Sequence, residues 1–126
     1  MKIRFGNLLL LSTLLPAAIA FAQNSGFPAD ATTPSAADIQ QRLTGKAFDI
    51  KLADGSMWHV QYGNSGDYDF KSSKGFADHG DWQAQDGKIC SKGSKIPYSC
   101  NDVRMKGSDL YLKRDSGEIV EFVEAR

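Results

Sequence analysis

Phe48-Asp49-Ile50-Lys51-Leu52-Ala53-Asp54-Gly55-Ser56-Met57-Trp58-His59-Val60-Gln61-Tyr62 decides the fold. Phe48, Ile50 and Leu52 alternate with Asp49 and Lys51. A strand sends successive side chains to opposite faces, so the apolar set meets a core and the charged set meets water. Asp54-Gly55 then interrupts the run with two residues that tolerate a left-handed backbone, a strong local sign of a hairpin. Trp58, Val60 and Tyr62 resume the alternation beyond it, which puts His59 on the solvated side.

The same grammar continues downstream. Gly63 to Gly66 turns into Tyr68 and Phe70, and Ser72 to Gly75 turns toward Phe76 and Trp82. Asp86-Gly87 is a second hairpin signal, leading into Ile89 and Cys90. A segment with Gly93 and Pro97 separates that strand from one over Tyr98 to Met105. Lys106-Gly107-Ser108 leads into Leu110 and Leu112, and Asp115-Ser116-Gly117 into Ile119 to Val123. Turns about every ten residues suit an all-β sandwich or barrel and leave no room for crossover helices.

The expected fold class is mainly β, a small antiparallel up-and-down barrel or half-barrel of seven to eight strands with one short N-terminal helix. Curling the meander hides its edges and gathers Trp58, Tyr68, Phe70, Trp82 and Phe122 inside. Strands this short predict an interior filled by side chains. The last strand is apolar on both faces, which leaves pairing with another copy open, although a monomer is expected.

Upstream, Ser35 stands three residues before Asp38, with Ile39, Leu43 and Gly45 at helix and helix-stop spacing, so one short helix is expected from Ala36 to Leu43. Residues 23–34 are mostly Ser, Gly, Pro, Ala, Thr and Asp around Phe27, a composition expected to form a flexible leader. Residues 35–126 are expected to form the single domain.

Lys2 and Arg4 precede a run from Leu8 to Ala20 that is apolar except for Ser12 and Thr13 and is broken by Pro16 near its end, followed by small residues at alternate positions. This pattern is a secretory signal, expected to be cleaved after Ala22, with Ala20 as the other site. The run is too short to span a membrane, and no cysteine follows it for lipid attachment, so no anchor is expected. The mature chain is expected to be periplasmic or extracellular. Removing 22 of 126 residues leaves 104, with 13 basic and 15 acidic side chains, so the net charge is about −2. Nucleic acid is not an expected partner, because binding it needs a clustered basic excess.

Cys90 and Cys100 are the only cysteines. In an oxidising compartment they read as one disulfide, closing a loop of about 11 residues and stabilising the fold by about 2.8 kcal/mol in the chain-entropy model. The spacing is not that of a redox Cys-x-x-Cys pair, and His59 and His79 complete no zinc pattern with it.

No nucleophile motif such as Gly-x-Ser-x-Gly occurs, so catalysis is not expected, and no cofactor is implied. Asp67-Tyr68-Asp69 and Asp78-His79-Gly80-Asp81 are the richest polar cluster. Asp69, His79 and Asp81 are weak candidates for a divalent cation, and outward acids on strands and turns explain the cluster more simply. Trp58, Tyr68 and Trp82 are candidates for stacking on or clamping a small ligand, with a core role as the commoner reading. Lys92, Lys95, Ile96 and Tyr98 on the tethered loop, with Tyr111 on a strand, are candidate anchors for a protein partner.

Gly80-Asp81-Trp82-Gln83-Ala84-Gln85-Asp86-Gly87-Lys88-Ile89-Cys90, with Cys100 and Val103 after it, resembles small exported proteobacterial proteins of lipocalin-like or uncharacterised β-barrel type. In these a Gly-x-Trp strand, an Asp-Gly hairpin and a Cys-bearing strand recur. The resemblance covers about Leu43 to Phe122 and implies an eight-stranded meander and a binding role, with no catalytic residues. The leading expectation is a non-enzymatic secreted binding protein, of the envelope-inhibitor or surface-antigen type, that engages a protein of the cell envelope or host through the disulfide-tethered loop. The alternatives are a carrier of a small apolar or sugar-like ligand at the barrel mouth and a small hydrolase or cation site.

Overall fold

The computed structural model describes residues 26–126; the expected signal sequence and its cleavage site lie outside them. Eight antiparallel strands follow one another as β1 (Ala47–Lys51), β2 (Met57–Tyr62), β3 (Asp67–Ser72), β4 (Ala77–Gln85), β5 (Lys88–Gly93), β6 (Ser99–Lys106), β7 (Asp109–Lys113) and β8 (Ile119–Glu124). Each pairs with its neighbour in sequence, and β8 returns to β1 through Phe48 opposite Glu124 and Asp49 opposite Val123, closing the barrel. The doubly apolar last strand is therefore not a free edge. Its Val120 and Phe122 point inward, and Val123 is left on the surface.

Alternation sets the interior as the first hairpin predicts. Phe48 and Ile50 on β1 and Val60 and Tyr62 on β2 are buried, whereas His59 is exposed and its Nδ1 lies 2.8 Å from Asp49 Oδ1 across the pair. Asp86-Gly87 makes the β4–β5 turn, where Gly87 adopts a φ of +69° that a residue with a Cβ rarely takes. Phe48 is enclosed by Tyr62 and Phe122, with ring centroids 6.1 and 5.6 Å away, and removing each such side chain from water is worth about 1.5–3 kcal/mol.

Helix α1 (Ala36–Leu43) begins where Ser35 Oγ accepts the Asp38 amide at 3.1 Å, and it buries Ile39 and Leu43, one turn apart on one face. A meander puts alternate turns at opposite ends, so the turns at 63–66, 86–87 and 107–108 share an end. The helix lies there. Asp86 Oδ1 accepts the Ala36 amide at 2.9 Å, and Arg42 Nε donates to Ser108 O at 2.8 Å. One end of the barrel is thus plugged by the helix, and the other carries the turns at 52–56, 73–76, 94–98 and 114–118.

The segment expected to be a flexible leader differs from that reading from residue 26 onward. Ala31 and Pro34 are buried, and Thr32 exchanges both backbone hydrogen bonds with Met105, at 2.8 and 2.9 Å. β6 pairs with β5 only through Asp102, so its later residues expose peptide groups that the leader satisfies. Arg104 also stacks over Phe27, 5.2 Å from the ring centroid. No helix among the described residues is long and apolar enough to cross a membrane.

Candidate ligand cavity

The interior is not filled. A cavity of about 460 Å³ occupies the end away from α1. The cause lies in the sizes of the inward residues. Phe48, Tyr62, Trp82 and Phe122 crowd the plugged half, whereas β3, β5 and β6 turn Ser72, Ser91, Gly93, Ser99 and Asn101 inward at the open half. Ile50, Val60, Ile89 and Leu112 give the cavity an apolar floor.

An aromatic collar lines the mouth. Trp58 meets Phe70 edge to face at 5.3 Å, and Phe70 meets the exposed Phe76 at 6.1 Å. Arg114 lies over Trp58, 4.8 Å from the ring, and its Nη1 donates to Glu118 Oε1 at 2.6 Å. Glu118 Oε2 accepts the Ala53 amide at 2.9 Å, joining the β7–β8 turn to the β1–β2 turn. The Ala53 amide, then Arg114, hold the Glu118 carboxyl below its ordinary range. Lys74 pairs with Asp54 at 2.6 Å.

Asp78 is the residue that organises this end. It points inward from β4, is 5 % exposed, and binds the loop between β5 and β6. Its Oδ1 accepts from Ser94 Oγ at 2.7 Å, and its Oδ2 accepts the Ile96 amide at 3.0 Å, with the Lys95 amide shared between them at 3.2 Å. Burial opposes ionisation of this carboxyl, but the bonds from Ser94 and from the amides of His79, Ile96 and Lys95 outweigh it and hold it down to about 2. Lys95 Nζ donates to Ala77 O at 3.0 Å and lies over Phe76, so this lysine builds the rim.

Register places Tyr68 opposite Gly80 and Gly80 opposite Gly93. With no side chain on Gly93, Tyr68 Oη comes within 2.8 Å and Asp78 Oδ2 within 2.0 Å of the point where a Cβ would stand. Burial raises the Tyr68 phenol above its ordinary value, and the nearby Asp78 raises it further. Burial does the same to Tyr62, so both hydroxyls remain protonated at neutral pH.

Of the ligand candidates, Trp58 and Tyr68 line the cavity. Trp82 does not: it packs at 5.0 Å against Tyr62 in the plugged half, where its buried Nε1 has no hydrogen-bond partner among the described residues. Cys90 and Cys100 are joined, and they stand directly opposite each other on β5 and β6, so the bond staples a hairpin stem and the loop proper is only residues 94–98. Lys92 and Tyr98 are on the outer surface, with Tyr98 58 % exposed and its hydroxyl 3.3 Å from Cys100 Sγ. Ile96 turns toward the mouth instead. Tyr111 is half-buried on the outside of β7 between Arg104 and Glu121, apart from the loop.

Asp69 stands opposite His79, and Asp81 opposite Asp67, all exposed. Among the described residues no three His, Cys, Asp or Glu side chains converge to hold a metal ion. The reading of these acids as outward fails for Asp78 alone. It shares the parity of Trp82, four residues on, and that parity was the signal for its burial.

Comparison with known proteins returns no relative: no family model, curated protein or solved structure matches the chain.

Proposed function

We propose that this chain is an exported, non-catalytic binding protein that holds a small apolar molecule inside the barrel. The observation that carries the reading is the cavity of about 460 Å³ with an aromatic collar at one mouth. It falls within the usual range for ligand pockets, roughly 300–1,000 Å³, and combines an apolar lining with a few polar groups as such pockets do. Export agrees with the leader and with a disulfide, which persists in oxidising compartments.

Trp58 reports on the site. Titrating apolar alcohols, terpenoids and aromatic compounds into the Trp82→Phe protein should shift or quench the remaining emission with saturation, and Trp58→Ala should weaken the same ligands measured by calorimetry. A panel without any saturating ligand by either method refutes the reading.

Engagement of a protein partner of the envelope or host through the tethered hairpin is the second reading, favoured by the exposed Tyr98 beside Lys92. Because Lys95 supports the rim, Lys92→Ala with Tyr98→Ala is the informative pair. It should abolish capture of such a partner and leave the melting temperature unchanged.

A further inference from the structure

Occupancy of the cavity by a small molecule is the reading on which the next step rests; the charge around the mouth narrows the ligand's class. Three cations, Lys74, Lys95 and Arg114, stand there with four acids, Asp54, Asp78, Asp115 and Glu118. Arg114 and Lys74 are each paired at 2.6 Å, and Lys95 is held by Ala77 O and Phe76. Lys95 has no carboxylate partner among the described residues, but the mouth carries one more acid than base, so an incoming carboxylate or phosphate meets no net positive charge. Asp78 adds a negative charge behind the Tyr68 hydroxyl, in the wall an anionic head group would approach.

The polar groups that the strands themselves turn into the cavity are neutral, the charged Lys74, Arg114 and Asp115 standing on the turns at its mouth. Ser91 and Ser99 face each other across β5 and β6, Asn101 follows on β6, and Tyr68 completes the strip from β3. Asn101 Nδ2 donates to Lys113 O and Asp115 Oδ1, both at 3.1 Å, which fixes the amide against the wall. Hydroxyls and amides of this kind satisfy a hydroxyl or carbonyl group, whereas a buried ionised group without a counter-charge carries a large penalty. At the share of liquid volume taken by a water molecule, about 30 Å³, the cavity has room for on the order of 15 non-hydrogen atoms.

We propose that the cavity selects an uncharged hydrophobic molecule carrying a hydroxyl or carbonyl group, oriented by Ser91, Ser99, Asn101 and Tyr68, and excludes the matching carboxylate. Selectivity of this sort comes as much from the repulsive element as from the attractive one. The basic side chains at the rim are therefore parts of the collar.

The test is calorimetric titration of the whole mature protein with decan-1-ol, 1-chlorodecane and decanoate at pH 7.5. Decan-1-ol should bind at least about tenfold more tightly than decanoate, the scale of one unpaired polar or charged group. Ser91→Ala with Ser99→Ala should weaken decan-1-ol about three- to tenfold and leave 1-chlorodecane unchanged. Decanoate binding as tightly as the alcohol overturns the proposal and leaves the apolar-carrier reading standing. An alcohol indifferent to the double substitution overturns the orienting role. Failure of all three probes to bind overturns both.

Discussion

The carboxylate of Asp78 accepts the backbone N–H of Ile96 at 3.0 Å, so an acid rooted in β4 positions a side chain at the cavity mouth. A charged acceptor with three loop donors is worth more than neutral bonds of the same number, and it makes the 94–98 loop part of the barrel wall.

Acid should loosen this loop. The Asp78 carboxyl is held at about 2 in the fold against an ordinary 3.8, so its stabilising contribution is complete above about pH 4 and is lost as the pH falls through 2. Asp78→Asn should lower the melting temperature at pH 7 and flatten its decline between pH 4 and 2, followed by near-ultraviolet circular dichroism. Parallel declines in the two proteins would show that Asp78 is not the latch.

Gly93→Ala should disturb the same place from the other strand. Its Cβ would fall 2.0 Å from Asp78 Oδ2, and Gly93 lies in a backbone-paired row, so the carboxylate has to leave the amides it binds. Amide exchange at Lys95 and Ile96 should accelerate, with the plugged half unaffected. Unchanged protection at both amides would contradict the geometry.

Cys90→Ala with Cys100→Ala should cost about 2–4 kcal/mol of unfolding free energy, read from urea midpoints in oxidising buffer. The pair stands in register between two backbone-paired strands, so the remaining ladder should hold the alignment and the spectrum of the native state should be retained.

Phe48→Ala should be among the most damaging single changes, at about 3–5 kcal/mol, because Phe48 is fully buried between Tyr62, Phe122 and the Arg42 guanidinium. Val123→Ala, on the outer face of β8, should stay within about 0.5 kcal/mol. A denaturant series on both variants tests the assignment of inward and outward faces.

Period and turn chemistry made the architecture legible. Phe48 to Tyr62 reads directly as a hairpin because its two-residue period is strict and Asp54-Gly55 admits few other structures, and Ser35 with Asp38 marks the helix start through a local hydrogen bond. The cavity was less legible, since empty volume depends on how inward residues of different strands stack after closure. Ser72, Ser91, Gly93, Ser99 and Asn101 are unremarkable one at a time, and only register brings them to one end. Asp78 was missed because its chemistry suggested solvent while its parity with Trp82 pointed inward. The leader was missed because Thr32 is held by backbone bonds to Met105, which composition does not reveal.

The closing seam has a consequence for assembly. Every other pairing joins strands adjacent in the chain, but β1 and β8 bring Phe48 to Glu124 across nearly the whole domain. Local hairpins form with little loss of chain entropy, so the long-range join is the slow event, and until it happens the curled sheet has two open edges. One of those edges carries Ile119, Val120, Phe122 and Val123, apolar on both faces. A population caught before closure would recruit further chains along that edge, so yield on refolding should fall with protein concentration even though the finished barrel has no edge to offer.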